Sequence, residues 1–131
     1  MPEPTLIIDD DPGFNAILVR TLERRGFPAR GALGAGDALM LAREIVPNRV
    51  VLDLNLNGSS GLALIPELLA INADCRIVVL TGYASIATAV DAIKLGAVQY
   101  LAKPVEIEAI LAAFENDDAP GFDLPASAEP L

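Results

Sequence analysis

The chain has 131 residues, 53% of them hydrophobic, with two Tyr, four Phe, no Trp and no His, and a formal net charge of −9. That length suits one domain able to bury roughly two-thirds of the surface its unfolded chain exposes; the charge excludes direct nucleic-acid binding, which draws on Lys and Arg clusters, and the missing His excludes an imidazole base or a phosphohistidine of the chain's own. Cys75 has no second Cys to pair with, and the chain shows neither a basic leader with an apolar core nor an apolar run of about 18 residues, so the expectation is a cytoplasmic protein without a membrane span.

Short apolar runs alternate with segments of helical period. In chain order the pattern predicts a strand over Thr5–Ile8, a helix over Pro12–Arg25, a strand over Phe27–Gly31, a helix over Asp37–Val46 and a strand over Arg49–Asp53. The second half continues with a helix over Gly61–Ile71, a strand over Arg76–Thr81, a helix over Ser85–Leu95, a strand over Val98–Leu101 and a helix over Glu106–Phe114. Asp11-Pro12 sets a capping acid before a Pro at the first helical position, and Ser85 is the cap candidate for the fourth helix. Gly26 and Gly96 stand where helix C-termini need left-handed backbone. Runs such as Ile77-Val78-Val79-Leu80 are apolar without alternation, as parallel strands covered on both faces require. The pattern predicts an α/β fold built as an open, doubly wound parallel sheet, whose sites form outside the carboxyl ends of the strands. Residues 1–115 read as this domain, and 116–131 as an acidic, Pro-rich linker or tail, with the expectation that the natural chain continues or descends from one that did.

Three strand ends offer charged groups to that one edge: Asp9-Asp10-Asp11 after the first strand, Asp53 at the end of the third and Lys103-Pro104 after the fifth. A carboxylate can attack a phosphoryl group to give an acyl phosphate when the negative charges are neutralised. Asp9, Asp10 and Asp53 together suit Mg2+, which takes oxygen ligands octahedrally and keeps several waters. A backbone carbonyl from the loop after Asp53 would add a further oxygen, Lys103 would clamp a phosphoryl oxygen as a point charge, and the Thr81 hydroxyl would donate to another.

At this point the sequence closely resembles the receiver domains of bacterial two-component response regulators. The resemblance covers about residues 5–115 and rests on Ile8-Asp9-Asp10-Asp11-Pro12, Val51-Leu52-Asp53-Leu54-Asn55, Gly61, Leu80-Thr81-Gly82 and Tyr100-Leu101-Ala102-Lys103-Pro104, in order and at similar spacing. It implies a flavodoxin-like (βα)5 sandwich with strand order 2-1-3-4-5. It implies Asp53 as the phosphoacceptor, Asp9, Asp10 and Asp53 as Mg2+ ligands with the backbone carbonyl of Asn55, and Thr81 and Lys103 as holders of the phosphoryl group. It further implies a cis Lys103-Pro104 bond, a switch made of Thr81 and Tyr100, a sensor histidine kinase as phosphodonor, and a homodimer through the face of the fourth helix, fifth strand and fifth helix. The stretch Leu80–Pro104 looks most like redox-associated regulators of the RegA/PrrA/ActR type, which join a receiver to a helix-turn-helix DNA-binding domain through a Pro-rich linker. Many receivers carry Pro where Asn57 stands and an acid where Ser60 stands, so the turn after Asp53 departs from the family pattern.

Competing readings are a single-domain phosphorylation switch without DNA-binding output, and a phosphatase of the haloacid-dehalogenase type. The latter needs an acid two residues after the nucleophile, where this chain has Asn55. Gly31, Gly34 and Gly36 lack the spacing and position of a dinucleotide loop. Cys75 reads as structural, and Tyr100 by default as a half-buried core aromatic.

Overall fold

The computed structural model describes residues 4–56, 59–82 and 86–115. Ser85, Asn57 and the expected linker over 116–131 lie outside these. The apolar runs Leu6-Ile7-Ile8, Val50-Val51-Leu52 and Ile77-Val78-Val79-Leu80 are fully buried and form the middle of a parallel sheet. Its strands are β1 (Thr5–Ile8), β2 (Ala29–Ala32), β3 (Arg49–Asp53), β4 (Arg76–Thr81) and β5 (Gln99–Ala102), and its helices α1 (Pro12–Arg24), α2 (Ala35–Ile45), α3 (Leu64–Ile71), α4 (Ile86–Leu95) and α5 (Ile107–Glu115). The strand order is β2-β1-β3-β4-β5, the flavodoxin-like arrangement expected. Between β3 and α3 an antiparallel pair, Asn55–Leu56 with Ser59–Ser60, leads into a 3-10 turn at Gly61–Ala63.

Two cores flank the sheet because side chains alternate along each strand. Leu6, Ile8, Val50, Leu52, Ile77 and Val79 face α2, α3 and α4. Ile7, Val51, Val78 and Leu80 face Leu18 and Leu22 of α1 and Ile110 and Phe114 of α5. Each such side chain, fully buried, stabilises by about 1.5–3 kcal/mol relative to exposure.

Helix ends follow the expected punctuation. Asp11 Oδ1 accepts from the Gly13 and Phe14 N–H groups at 3.0 and 3.3 Å, with Pro12 at the first helical position. Gly26 and Gly96 adopt left-handed φ of +89° and +122°. The Lys103-Pro104 bond is cis.

Several bounds differ from expectation: α1 ends at Arg24 and not Arg25, and β5 and α5 each lie one residue later than expected, over Gln99–Ala102 and Ile107–Glu115 in place of Val98–Leu101 and Glu106–Phe114. Three further elements differ for a local reason. The strand expected over Phe27–Gly31 runs instead over Ala29–Ala32, because the Phe27 N–H closes the end of α1 on the Leu22 carbonyl at 3.0 Å and Pro28 has no N–H to give the ladder. The helix expected over Asp37–Val46 spans Ala35–Ile45, with extended Gly34 before it and Val46 after it in left-handed backbone at φ 45°. The helix expected over Gly61–Ile71 splits into the 3-10 turn and α3, which places Pro66 in the first turn of α3, where a missing N–H costs no intrahelical bond.

Candidate functional site

The residues singled out at the strand ends are fixed by backbone bonds that prolong the sheet past its last paired residues. The Asp9 N–H donates to the Ala32 carbonyl at 3.1 Å, the Leu54 N–H to Leu80 at 3.1 Å and the Lys103 N–H to Thr81 at 2.9 Å. β1, β3, β4 and β5 thus deliver Asp9, Asp53, Thr81 and Lys103 to one edge. The Asp9, Asp53 and Thr81 residues are 0%, 4% and 2% exposed.

Lys103 joins the acids. Its Nζ donates to Asp9 Oδ2 at 3.0 Å and to Asp53 Oδ2 at 3.1 Å, bridging carboxylates that come from β1 and β3. The remaining carboxylate oxygens are held by turns, since Asp9 Oδ1 accepts from the Asp11 N–H at 2.9 Å and Asp53 Oδ1 from the Asn55 N–H at 3.0 Å. Burial pushes the Asp53 carboxyl above its ordinary value, with the Asp9 charge adding to the rise and the Asn55 N–H and Lys103 opposing it. Burial alone would lower the Lys103 ammonium, but hydrogen bonds and charge from Asp9 and Asp53 outweigh it and hold it above the usual lysine value.

Asp9, Asp10 and Asp53 each offer an oxygen, all within 4.8 Å of one another. The all-oxygen donor set of these three carboxylates fits a hard divalent cation.

Tyr100, on β5, is half-buried against the core beneath α4 and lies across from Val79, while Thr81 pairs with Ala102. Cys75 is buried and its thiol is pushed up to about 12 by burial, which leaves it inert.

Two residues of the site went unnoticed in the sequence. Phe14 of α1 sets its ring 5.1 Å from Lys103 Nζ, in cation–π range, and shares with Asp11, Lys103, Pro104 and Val105 an open cleft beside the acids. Its place on the third residue of α1, toward the sheet edge, was the available signal. Asn15 is 4% exposed and donates its side-chain amide to the carbonyls of Asp9, just past β1, and of Ala32 in β2. A polar residue in an amphipathic helix gives no signal for that.

The chain belongs to the response regulator receiver domain family, which matches residues 5–115. It is 45% identical over 108 residues to the acid tolerance regulatory protein ActR of Rhizobium meliloti, covering 82% of this chain and 56% of that protein. It is 40% identical over 124 residues to the photosynthetic apparatus regulatory protein RegA of Cereibacter sphaeroides, covering 95% of this chain and 66% of that one. The chain thus spans roughly half to two-thirds of the length of these relatives. The crystal structure of a response regulator from Burkholderia pseudomallei, with a phosphorylated aspartic acid, calcium ion and citrate, matches with a TM-score of 0.85 and 45% identity, covering 96% of this chain and 72% of that one. Among the described residues, no helix is long and apolar enough to cross a membrane.

Proposed function

We propose that this receiver takes a phosphoryl group onto Asp53 from the phosphohistidine of a sensor histidine kinase. The observation that carries the reading is Lys103, whose ammonium bridges Asp9 and Asp53 at 3.0 and 3.1 Å on the carboxyl edge of the sheet. An Asp53 oxygen attacks phosphorus, the nitrogen–phosphorus bond of the donor breaks, and the donor imidazole leaves with the electron pair and takes a proton from solvent. Lys103 then holds the incoming phosphoryl oxygens as its contact with Asp53 loosens, and the Thr81 hydroxyl donates to another oxygen. Asp9, Asp10, Asp53 and the backbone carbonyl of Asn55 would hold Mg2+. When bound, the ion supplies charge neutralisation at the phosphoryl oxygens.

The domain catalyses its own phosphorylation and dephosphorylation without turning over a substrate as an enzyme does. Its product is a conformational state. Thr81 drawn toward the phosphoryl group vacates space into which Tyr100 rotates, biasing the face of α4, β5 and α5. The exposed Ala109 and Ala112, beside the partly buried Leu101, give that face small apolar side chains for a homodimer to bury. A shift from mostly inactive to mostly active requires phosphorylation to favour the active state by about 5.5 kcal/mol. The regulatory names of the relatives support a regulatory output, read here as transcription, with DNA reached through another domain and not by this acidic segment. The phosphatase alternative needs an acid two residues after the nucleophile, and the side chain there is the amide of Asn55, which cannot act as a general acid.

Incubation with acetyl phosphate and Mg2+, followed by intact-protein mass measurement, tests the reading. The wild type gains one phosphoryl group and Asp53→Asn gains none; equal labelling of the variant would overturn it.

A further inference from the structure

We infer that Asn15 is the positioning residue that aims the Asp9–Asp10 pair at the cation, and that Gly31 is glycine so that Asn15 can do so. The inference rests on the proposed role of these acids as cation ligands. Asn15 is 4% exposed on α1, and its amide nitrogen donates to the Asp9 carbonyl at 3.0 Å and the Ala32 carbonyl at 2.9 Å, with the Ile7 carbonyl at 3.4 Å. The Ala32 carbonyl also accepts the Asp9 N–H at 3.1 Å. One side chain therefore holds the Asp9 carbonyl directly and, through the shared Ala32 carbonyl of β2, braces the acceptor of the Asp9 N–H. The Asp9 carbonyl shares its rigid peptide plane with the Asp10 nitrogen, so anchoring that oxygen sets the direction in which the chain leaves for Asp10.

The space for Asn15 comes from the neighbouring strand. A Cβ built on Gly31 would overlap Asn15 Oδ1 and stand 3.1 Å from its Cγ and 3.4 Å from Val19 Cγ2. Gly31 has no left-handed backbone to require glycine, and its exposed position on an edge strand offers no other reason for one. Groups that orient metal ligands from behind cost about 10- to 100-fold in metal affinity when removed.

The test is Mn2+ affinity, by electron paramagnetic resonance of the full chain, for Asn15→Ala, Gly31→Ala and the double variant. Each single variant should bind Mn2+ at least about 10-fold more weakly, and Gly31→Ala should add little once Asn15 is gone. Phosphorylation by acetyl phosphate should return to near the wild-type rate at saturating Mg2+, a pattern that loss of fold would not give. Ile110→Val, a core change on α5 remote from the acids, supplies the stability control and should bind Mn2+ as wild type does. If Asn15→Ala does not fold, Gly31→Ala carries the test alone, and the folded protein must show the loss. Wild-type affinity in a folded single variant, or an equal loss in the Ile110→Val control, overturns the inference. Phosphorylation of Asp53→Asn would instead overturn the site assignment, so the two failures are distinguishable.

Discussion

Gly61 packs against the backbone of Asp53 so closely that a Cβ at position 61 would stand 2.5 Å from the Asp53 carbonyl oxygen and 3.2 Å from Leu54 Cα. The Gly61 N–H donates to the Leu54 carbonyl at 2.8 Å, folding the chain back over the strand end. Gly61→Ala must push that turn away from β3. It should cost about 1–3 kcal/mol of stability and slow phosphorylation by acetyl phosphate, measured by denaturant unfolding and mass-resolved labelling. A variant as stable and as active as wild type contradicts the close packing.

The raised Asp53 carboxyl fixes a pH dependence. Its protonated form is favoured in the folded state, so the folded chain binds more protons than the unfolded one between the unfolded value of about 3.9 and the raised folded value. Stability from this group is fully present below that window and is lost as pH rises through it. Without metal, ionised Asp53 therefore destabilises the fold at neutral pH, and Asp53→Asn, which leaves Lys103 its bond to Asp9, should melt higher than wild type at pH 7 in chelator. The gap should close as pH falls to about 4. A variant that melts lower at pH 7 refutes the sign.

Divalent cation should stabilise the wild type, because binding to the folded state alone adds about 2.7 kcal/mol at a concentration 100 times Kd. Thermal melts across a Mg2+ titration read this directly. Asp9→Asn keeps the shape of a fully buried residue and removes a ligand charge, so its melting temperature should barely move with Mg2+. An unchanged Mg2+ response would remove Asp9 from the cation site.

The outline of the fold was legible because parallel strands buried on both faces write themselves as unbroken apolar runs, and the strand over Arg76–Thr81 matches to the residue. The assembly of Asp9, Asp53 and Lys103 was legible for a related reason: residues that end neighbouring parallel strands must share an edge. Distances of about 3 Å between them were not legible, since those depend on the backbone bonds from Ala32 and Thr81 that hold the loops. Asn15 stayed hidden because helical period alone gives a polar residue to solvent, and only the packing of α1 on β2 turns it inward. The start of β2 was not legible at Phe27, because only the folded chain spends the Phe27 N–H on the end of α1.

Thr81→Ala separates phosphorylation from switching. The hydroxyl is proposed to hold one phosphoryl oxygen through a charge-assisted bond, worth about 1.5–3 kcal/mol, so labelling should slow by about 10- to 100-fold without vanishing. Backbone amide shifts of α4, β5 and α5 measured by NMR should respond to phosphorylation in wild type and stay near their unmodified positions in the variant. A full response in Thr81→Ala would take Thr81 out of the switch.

The central claim is that one carboxylate, Asp53, becomes an acyl phosphate. Borohydride reduces an aspartyl phosphate to homoserine, and peptide mapping then locates it in the chain. After treatment with acetyl phosphate and Mg2+, homoserine should appear at position 53 and be lost when Mg2+ is chelated. Homoserine at position 9 or 10, or none anywhere in protein shown by mass to be labelled, would contradict the account.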